Sequence, residues 1–238
     1  MDNKSIKLRL ILYTILGFVS YYVFFDYLLP ANKAFPKLSL IYESTFELFK
    51  HYNLFTGIAI TSSVIYVTLS IVLLFIILFK NLNSFLLNFN SFIKVPFFLI
   101  ILLFSFWFGN VLWAEFLFAF IIILIHLSYK GTSFKNKKVD QLLEFVKLNR
   151  FSVKVTNNIN GQYAKGLLVT EMRKTHFYLW TFVLIYEFII KTGGIGTVLD
   201  NTFNNYDLAG FISLSLMIYI LIYLGDFLYV LIKNKLNY

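Results

Sequence analysis

Few side chains in this sequence could do chemistry, and their types and spacing narrow what that chemistry is. The three histidines, His51, His126 and His176, are scattered over separate regions, and there is no cysteine. Neither a metal-ligand cluster nor a thiolate nucleophile can be drawn from such a set. An intramembrane enzyme would need histidines at metal-ligand spacing, an acid pair, or a nucleophile with its base. No His-Glu-x-x-His or Gly-x-Ser-x-Gly string occurs, so no catalytic residue, metal ligand or cofactor-binding residue is assigned. The glycine-rich string Gly193-Gly194-Ile195-Gly196 is not followed by Gly-Lys-Ser/Thr. It reads as a tight turn and not a phosphate loop, and without a Walker motif the chain cannot itself hydrolyse ATP.

What remains is a handful of charges in apolar surroundings, where a charge is costly and so informative. Glu187 lies in the apolar run Phe177 to Ile190. It is compatible with a neutral or paired carboxyl holding its helix in place, and with the lining of a substrate path. Arg173 and Asp226 both fall towards the same ends of their apolar runs and suit a structural ion pair, with each other as candidate partners. Glu115 opens an apolar run and is expected at the membrane interface. His126 is expected to pack between helices, with a proton relay as the alternative. Trp107, Trp113, Trp180 and the tyrosines are expected to pack or to anchor at interfaces.

The elements that must position these groups are apolar. The chain is 59% hydrophobic and 14% charged, against about 25% charged in soluble domains. It cannot cover its own apolar surface with polar groups, so an all-α membrane protein is expected, folded as one transmembrane domain over residues 1–238. Leu10 to Leu29 is a first span, with no small-residue cleavage site evident after it. Pro30 to Asn53 mixes apolar and charged residues as an interfacial segment does, largely helical after Pro36. Leu54 to Phe79 is a second span, and Asn81 to Asn90 a bend. Pro96 to Phe108 and Val111 to Ser128 read as a helical hairpin turning at Gly109-Asn110. Phe177 to Ile190 is the fifth span, extended backwards by residues near Leu167. Lys191 to Asp207 reads as a Gly/Asn-rich outer loop, and Leu208 to Ile232 as the last of about six transmembrane helices.

Charge sets the orientation. An even number of spans puts both termini on one side, and that side then carries 17 of the 21 lysines and arginines, leaving only Lys33, Lys37, Lys50 and Lys191. The positive-inside rule therefore places both termini and the basic segment from about 130 to 174 in the cytosol. The net charge of +9 is accounted for by sidedness, and nucleic acid is not implied. Within that segment Leu142, Leu143, Phe145, Val146, Leu148 and Phe151 alternate with Asp140, Glu144, Lys147 and Arg150 at helical spacing. A basic amphipathic helix can lie on anionic lipid, pack beneath its own bundle, or offer its apolar face to a groove on a partner.

From Leu28 to Leu236 the order of motifs resembles the permease subunits of ATP-binding-cassette importers of the nitrate/sulfonate/taurine type. The resemblance rests on Leu28-Leu29-Pro30, on Pro96 to Gly109 ending Phe106-Trp107-Phe108-Gly109, and on Val139-Asp140 with Leu143-Glu144. It continues through Arg173, Trp180, Glu187 and Gly194-Ile195-Gly196, then Tyr206-Asp207 and Leu224-Gly225-Asp226. It implies the type I importer permease fold, a bacterial cytoplasmic membrane, and a cytosolic coupling helix in which Asp140, Leu143, Glu144, Phe145 and Leu148 meet an ATPase. It also implies a translocation path bordered by Trp180, Tyr186, Glu187 and Gly194. The implied partners are a cytosolic ATPase dimer carrying ATP and magnesium, a second permease copy or paralogue, and an external substrate-binding protein. There are departures. Glu144-Phe145-Val146 stands where the family has Glu-Ala-Ala, the loop glycine is Asn149 or Arg150, and the paired prolines near Gln162 and Gly166 are missing. These point to an altered socket and favour a heterodimeric permease, with a non-coupling structural subunit as the alternative. No Lys or Arg lies in the central spans, which argues against a tightly held anion.

Overall fold

The computed structural model describes residues 3–28, 36–78, 95–133 and 153–235. These residues are helical, with no strand among them: α1 (Asn3–Tyr22), a π-helical turn (Val23–Leu28), α2 (Leu38–His51), α3 (Leu54–Leu78), α4 (Phe97–Phe108), α5 (Leu112–Ser133), α6 (Val153–Ile190), α7 (Ile195–Asn204) and α8 (Leu208–Lys235). Helices satisfy their own backbone groups, which is what an apolar chain in lipid requires.

Among the described residues, two stretches are long and apolar enough to cross a membrane, Leu54–Phe75 with mean hydropathy 2.3 and Leu208–Val230 with mean hydropathy 2.1. A third candidate is the pair Glu171–Ile190 and Ile195–Asn204, bent by 55° at the break between them. Helix α4 has 12 residues, about 18 Å at 1.5 Å per residue, short of a hydrocarbon core of about 30 Å.

The chain divides into two compact units, Met1–Phe55 with Val198–Ile220, and Thr56–Thr197 with Leu221–Tyr238. In the first, the side chain of Asp26 reaches across to α2. Its Oδ1 accepts the Leu38 N–H at 3.0 Å, supplying the acceptor that Lys37, the residue at the cap position, does not provide. The Tyr21 hydroxyl donates to the Pro36 carbonyl at 2.8 Å. The Thr45 and Ser213 hydroxyls pair at 2.7 Å, and Asp207 caps α8 by accepting the Gly210 N–H at 2.8 Å.

In the second unit, α4 and α5 form the hairpin expected at Gly109-Asn110. Gly109 sits at φ +64° with open space around it, the conformation that favours glycine just past a helix end. Ile100, Ile101 and Phe104 of α4 meet Ala114, Phe118, Ile122 and Ile125 of α5 and Tyr186 and Ile190 of α6. The Phe118 and Tyr186 rings stack at 4.7 Å. Lipid is as apolar as these side chains, so in a membrane it is close packing and interhelical hydrogen bonds that hold them together.

Three expectations change. The stretch read as an outer loop contains α7, whose Ile195, Val198 and Thr202 are buried; an amphipathic turn of helix hides behind its Gly, Asn and Thr content. Helix α6 begins at Val153, further back than the extension expected near Leu167. Glu115, expected at an interface, is completely buried. The bend at 81–90 and the amphipathic stretch 142–151 lie outside the described residues.

Candidate functional site

The site is built on α6, which carries Arg173, His176, Trp180, Tyr186 and Glu187 along its length. Two polar clusters depend on it, both within the second unit.

The first cluster joins α6 to α8. Arg173 Nε lies 3.3 Å from Asp226 Oδ2, the ion pair the sequence suggested. The indole Nε1–H of Trp180 donates to His176 Nε2 at 2.9 Å. That nitrogen is therefore the acceptor, so the ring proton sits on Nδ1 and points at Asp226 Oδ1, 3.3 Å away. Tyr66 of α3 stacks on the imidazole with ring centroids 5.7 Å apart. The buried indole and imidazole polar atoms thus satisfy one another, and Asp226 anchors both the histidine and the arginine. Gly225 makes room for this arrangement: a Cβ there would strike the Tyr66 hydroxyl and lie 2.6 Å from His176 Cε1. Gly225→Ala is expected to cost about 1–3 kcal/mol and to break the Trp180–His176 bond, read as a changed Trp180 fluorescence maximum in purified protein.

The second cluster closes the turn after α6. Lys191, at φ +60°, ends the helix in a left-handed conformation, and its N–H returns to the Glu187 carbonyl at 2.8 Å. The Glu187 side chain then reaches forward. Its Oε2 accepts the Gly196 N–H at 2.8 Å, and its Oε1 accepts the Thr61 hydroxyl of α3 at 2.6 Å. Thr61 Oγ1 accepts the Ile195 N–H at 2.8 Å. Two backbone donors at the start of α7 are thereby satisfied away from water, one directly and one through threonine. Small residues permit the approach. A Cβ on Gly57 of α3 would lie 3.3 Å from the Gly194 carbonyl carbon, and one on Gly194 would collide with the Glu187 carboxyl. Glu115 of α5 completes the cluster, its carboxyl interacting with that of Glu187.

Trp180, Tyr186, Glu187 and Gly194, the residues associated with a path, are all buried within this unit. Asp140, Leu143, Glu144, Phe145 and Leu148 lie outside the described residues. His126 packs against Tyr178 with ring centroids 4.5 Å apart, as a helix-packing histidine would. Sequence reasoning missed the roles of Thr61, His176 and Glu115. A hydroxyl in the middle of an apolar span was the available signal for Thr61. No group of three or more metal-ligating side chains forms among the described residues. Comparison with protein-family models, with curated proteins and with solved structures returns no match.

Proposed function

We propose that this chain is a transmembrane permease subunit of an ATP-binding-cassette importer, forming half of a substrate path and coupled to a cytosolic ATPase. The observation that carries the reading is that residues in the family's register are bonded to one another. Arg173 pairs with Asp226, Trp180 reaches Asp226 through His176, and Glu187 holds the turn at Gly196. Residues whose order in the sequence prompted the resemblance are thus also partners in space. In this reading six spans cross a bacterial cytoplasmic membrane with both termini in the cytosol. ATP and magnesium bind to a partner ATPase dimer. A permease paralogue supplies the other half of the path, and an external binding protein delivers substrate.

The alternative is a non-transporting subunit that keeps the scaffold in a membrane complex. Glu144-Phe145-Val146 in place of Glu-Ala-Ala favours it, because an eroded coupling loop is what loss of transport would leave. Substituting Phe145→Asp and Leu148→Asp separates the two readings. Burying a carboxylate in an apolar socket removes a docking anchor at about 2 kcal/mol or more, a weakening of about thirtyfold or more. In the reconstituted complex, stimulated ATP hydrolysis should collapse while assembly of the membrane subunits persists. Unchanged coupling in both variants would leave the non-transporting reading.

A further inference from the structure

Glu115 and Glu187 are both 0% exposed, and their carboxyls interact with each other. Glu187 has its donors, from Thr61 and Gly196. Glu115 does not: neither of its oxygens makes a well-formed hydrogen bond, although both are buried. Two hydroxyls beside it are in the same condition. The Tyr186 hydroxyl, on a completely buried side chain, and Thr192 Oγ1 are buried without a formed bond, and both interact with Glu115. A buried acceptor that faces another acceptor, with unused hydroxyls around it, lacks one hydrogen.

The groups facing this pair are the carboxyls themselves, Tyr186 from α6, Thr61 from α3, Thr192, and the Gly196 N–H. Among the described residues no basic side chain interacts with either carboxyl, and Lys191, the cation nearest in sequence, is exposed. Two interacting carboxylates, both completely buried, cannot both be ionised without a counter-charge. Among the described residues no basic side chain balances them, so a proton does.

We propose that Glu115 and Glu187 form a proton-binding site in which a single proton, carried by Glu115, is donated to the Glu187 carboxylate. The placement follows from the donors. Glu187 accepts two hydrogen bonds that favour its charged form, and its remaining lone pairs can take the Glu115 O–H. The second Glu115 oxygen then accepts from Tyr186 or Thr192. Loss of the proton to water would leave two facing carboxylates and drive Glu187 away from the Gly196 N–H. Opening of the turn and release of the proton are therefore one event. This inference stands independently of the permease reading.

Infrared difference spectroscopy of the full chain, purified in nanodiscs at neutral pH with isotope-labelled glutamate, tests it. The wild type should show a protonated glutamate carbonyl band sensitive to the label, and Glu115→Gln should lose it. That variant should still fold, because its amide N–H replaces the proton's bond to Glu187. Glu187→Gln, which removes the acceptor, should shift the band without abolishing it. No band in the wild type, or a band that survives unchanged in Glu115→Gln, overturns the proposal. Disappearance of the wild-type band on adding sodium ions overturns it too, since the site would then hold an alkali cation.

Discussion

Gly196→Ala is expected to keep the protein from accumulating in a folded form, the largest effect of any single methyl in the described chain. A Cβ at Gly196 would meet the Leu184 carbonyl oxygen, lie 2.5 Å from Glu187 Cβ and lie 2.7 Å from the Phe188 backbone nitrogen. These are main-chain or near-main-chain atoms of α6, so no rotamer change relieves the contact. Start and turn would have to separate, taking the Gly196 N–H from Glu187 and the Ile195 N–H from Thr61. Overpacking of this kind costs about 3 kcal/mol, to which about 1–3 kcal/mol is added for each buried donor left without an acceptor. Gly17→Ala is the control: nothing lies within 4 Å of a Cβ there, and alanine in a helix interior is better than glycine by up to about 1 kcal/mol. Thermal unfolding in detergent, followed by tryptophan fluorescence, should show no cooperative transition for Gly196→Ala and an unchanged or slightly raised midpoint for Gly17→Ala.

The second large effect is expected at the acid itself. Glu187→Leu approximates the volume and leaves the Gly196 N–H and the Thr61 hydroxyl buried without their acceptor. At about 1–3 kcal/mol for each of the two orphaned groups, the total of about 2–6 kcal/mol is in the range that marks a broken buried network. Glu187→Gln should lose less, because its carbonyl can still accept the Gly196 N–H. Thr61→Val removes the same hydroxyl from the other side and also orphans the Ile195 N–H. A double variant of Glu187→Leu with Thr61→Val should therefore unfold at nearly the same denaturant concentration as the worse single change, since both break one shared network. Additive losses would mean that the two residues act separately.

These residues also mark where sequence reasoning reaches and where it stops. Helices α3 and α8 were legible because an uninterrupted apolar run of span length has one stable arrangement in lipid. The α4–α5 turn was legible because Gly109-Asn110 interrupts such a run with residues that tolerate a left-handed backbone. Glu187 was legible as a special position, since charge in an apolar run demands a reason. The Arg173–Asp226 pairing was legible for the same cause. The groups that Glu187 holds, Thr61 and the Gly196 N–H, were not. Glu115 reads locally like an interfacial acid beside Trp113, and nothing in its neighbours reveals that it is buried and interacts with Glu187 of α6. Helix α7 was missed because the glycines at its start and its asparagines carry a loop's composition, while its stability comes from tertiary burial of Ile195 and Val198. Local patterns find elements; long-range pairings such as His176 with Asp226 appear only when the elements are packed.

The measurement that bears most directly on the permease reading is the composition of the native complex. The chain would be tagged at its carboxyl terminus, extracted from native membranes in mild detergent and analysed by mass spectrometry for what co-purifies. The expected result is stoichiometric recovery of an ATPase bearing Walker motifs, together with a second permease-like chain that accounts for the altered coupling segment. Recovery of an intact complex with no ATPase under the same gentle conditions would contradict the importer assignment.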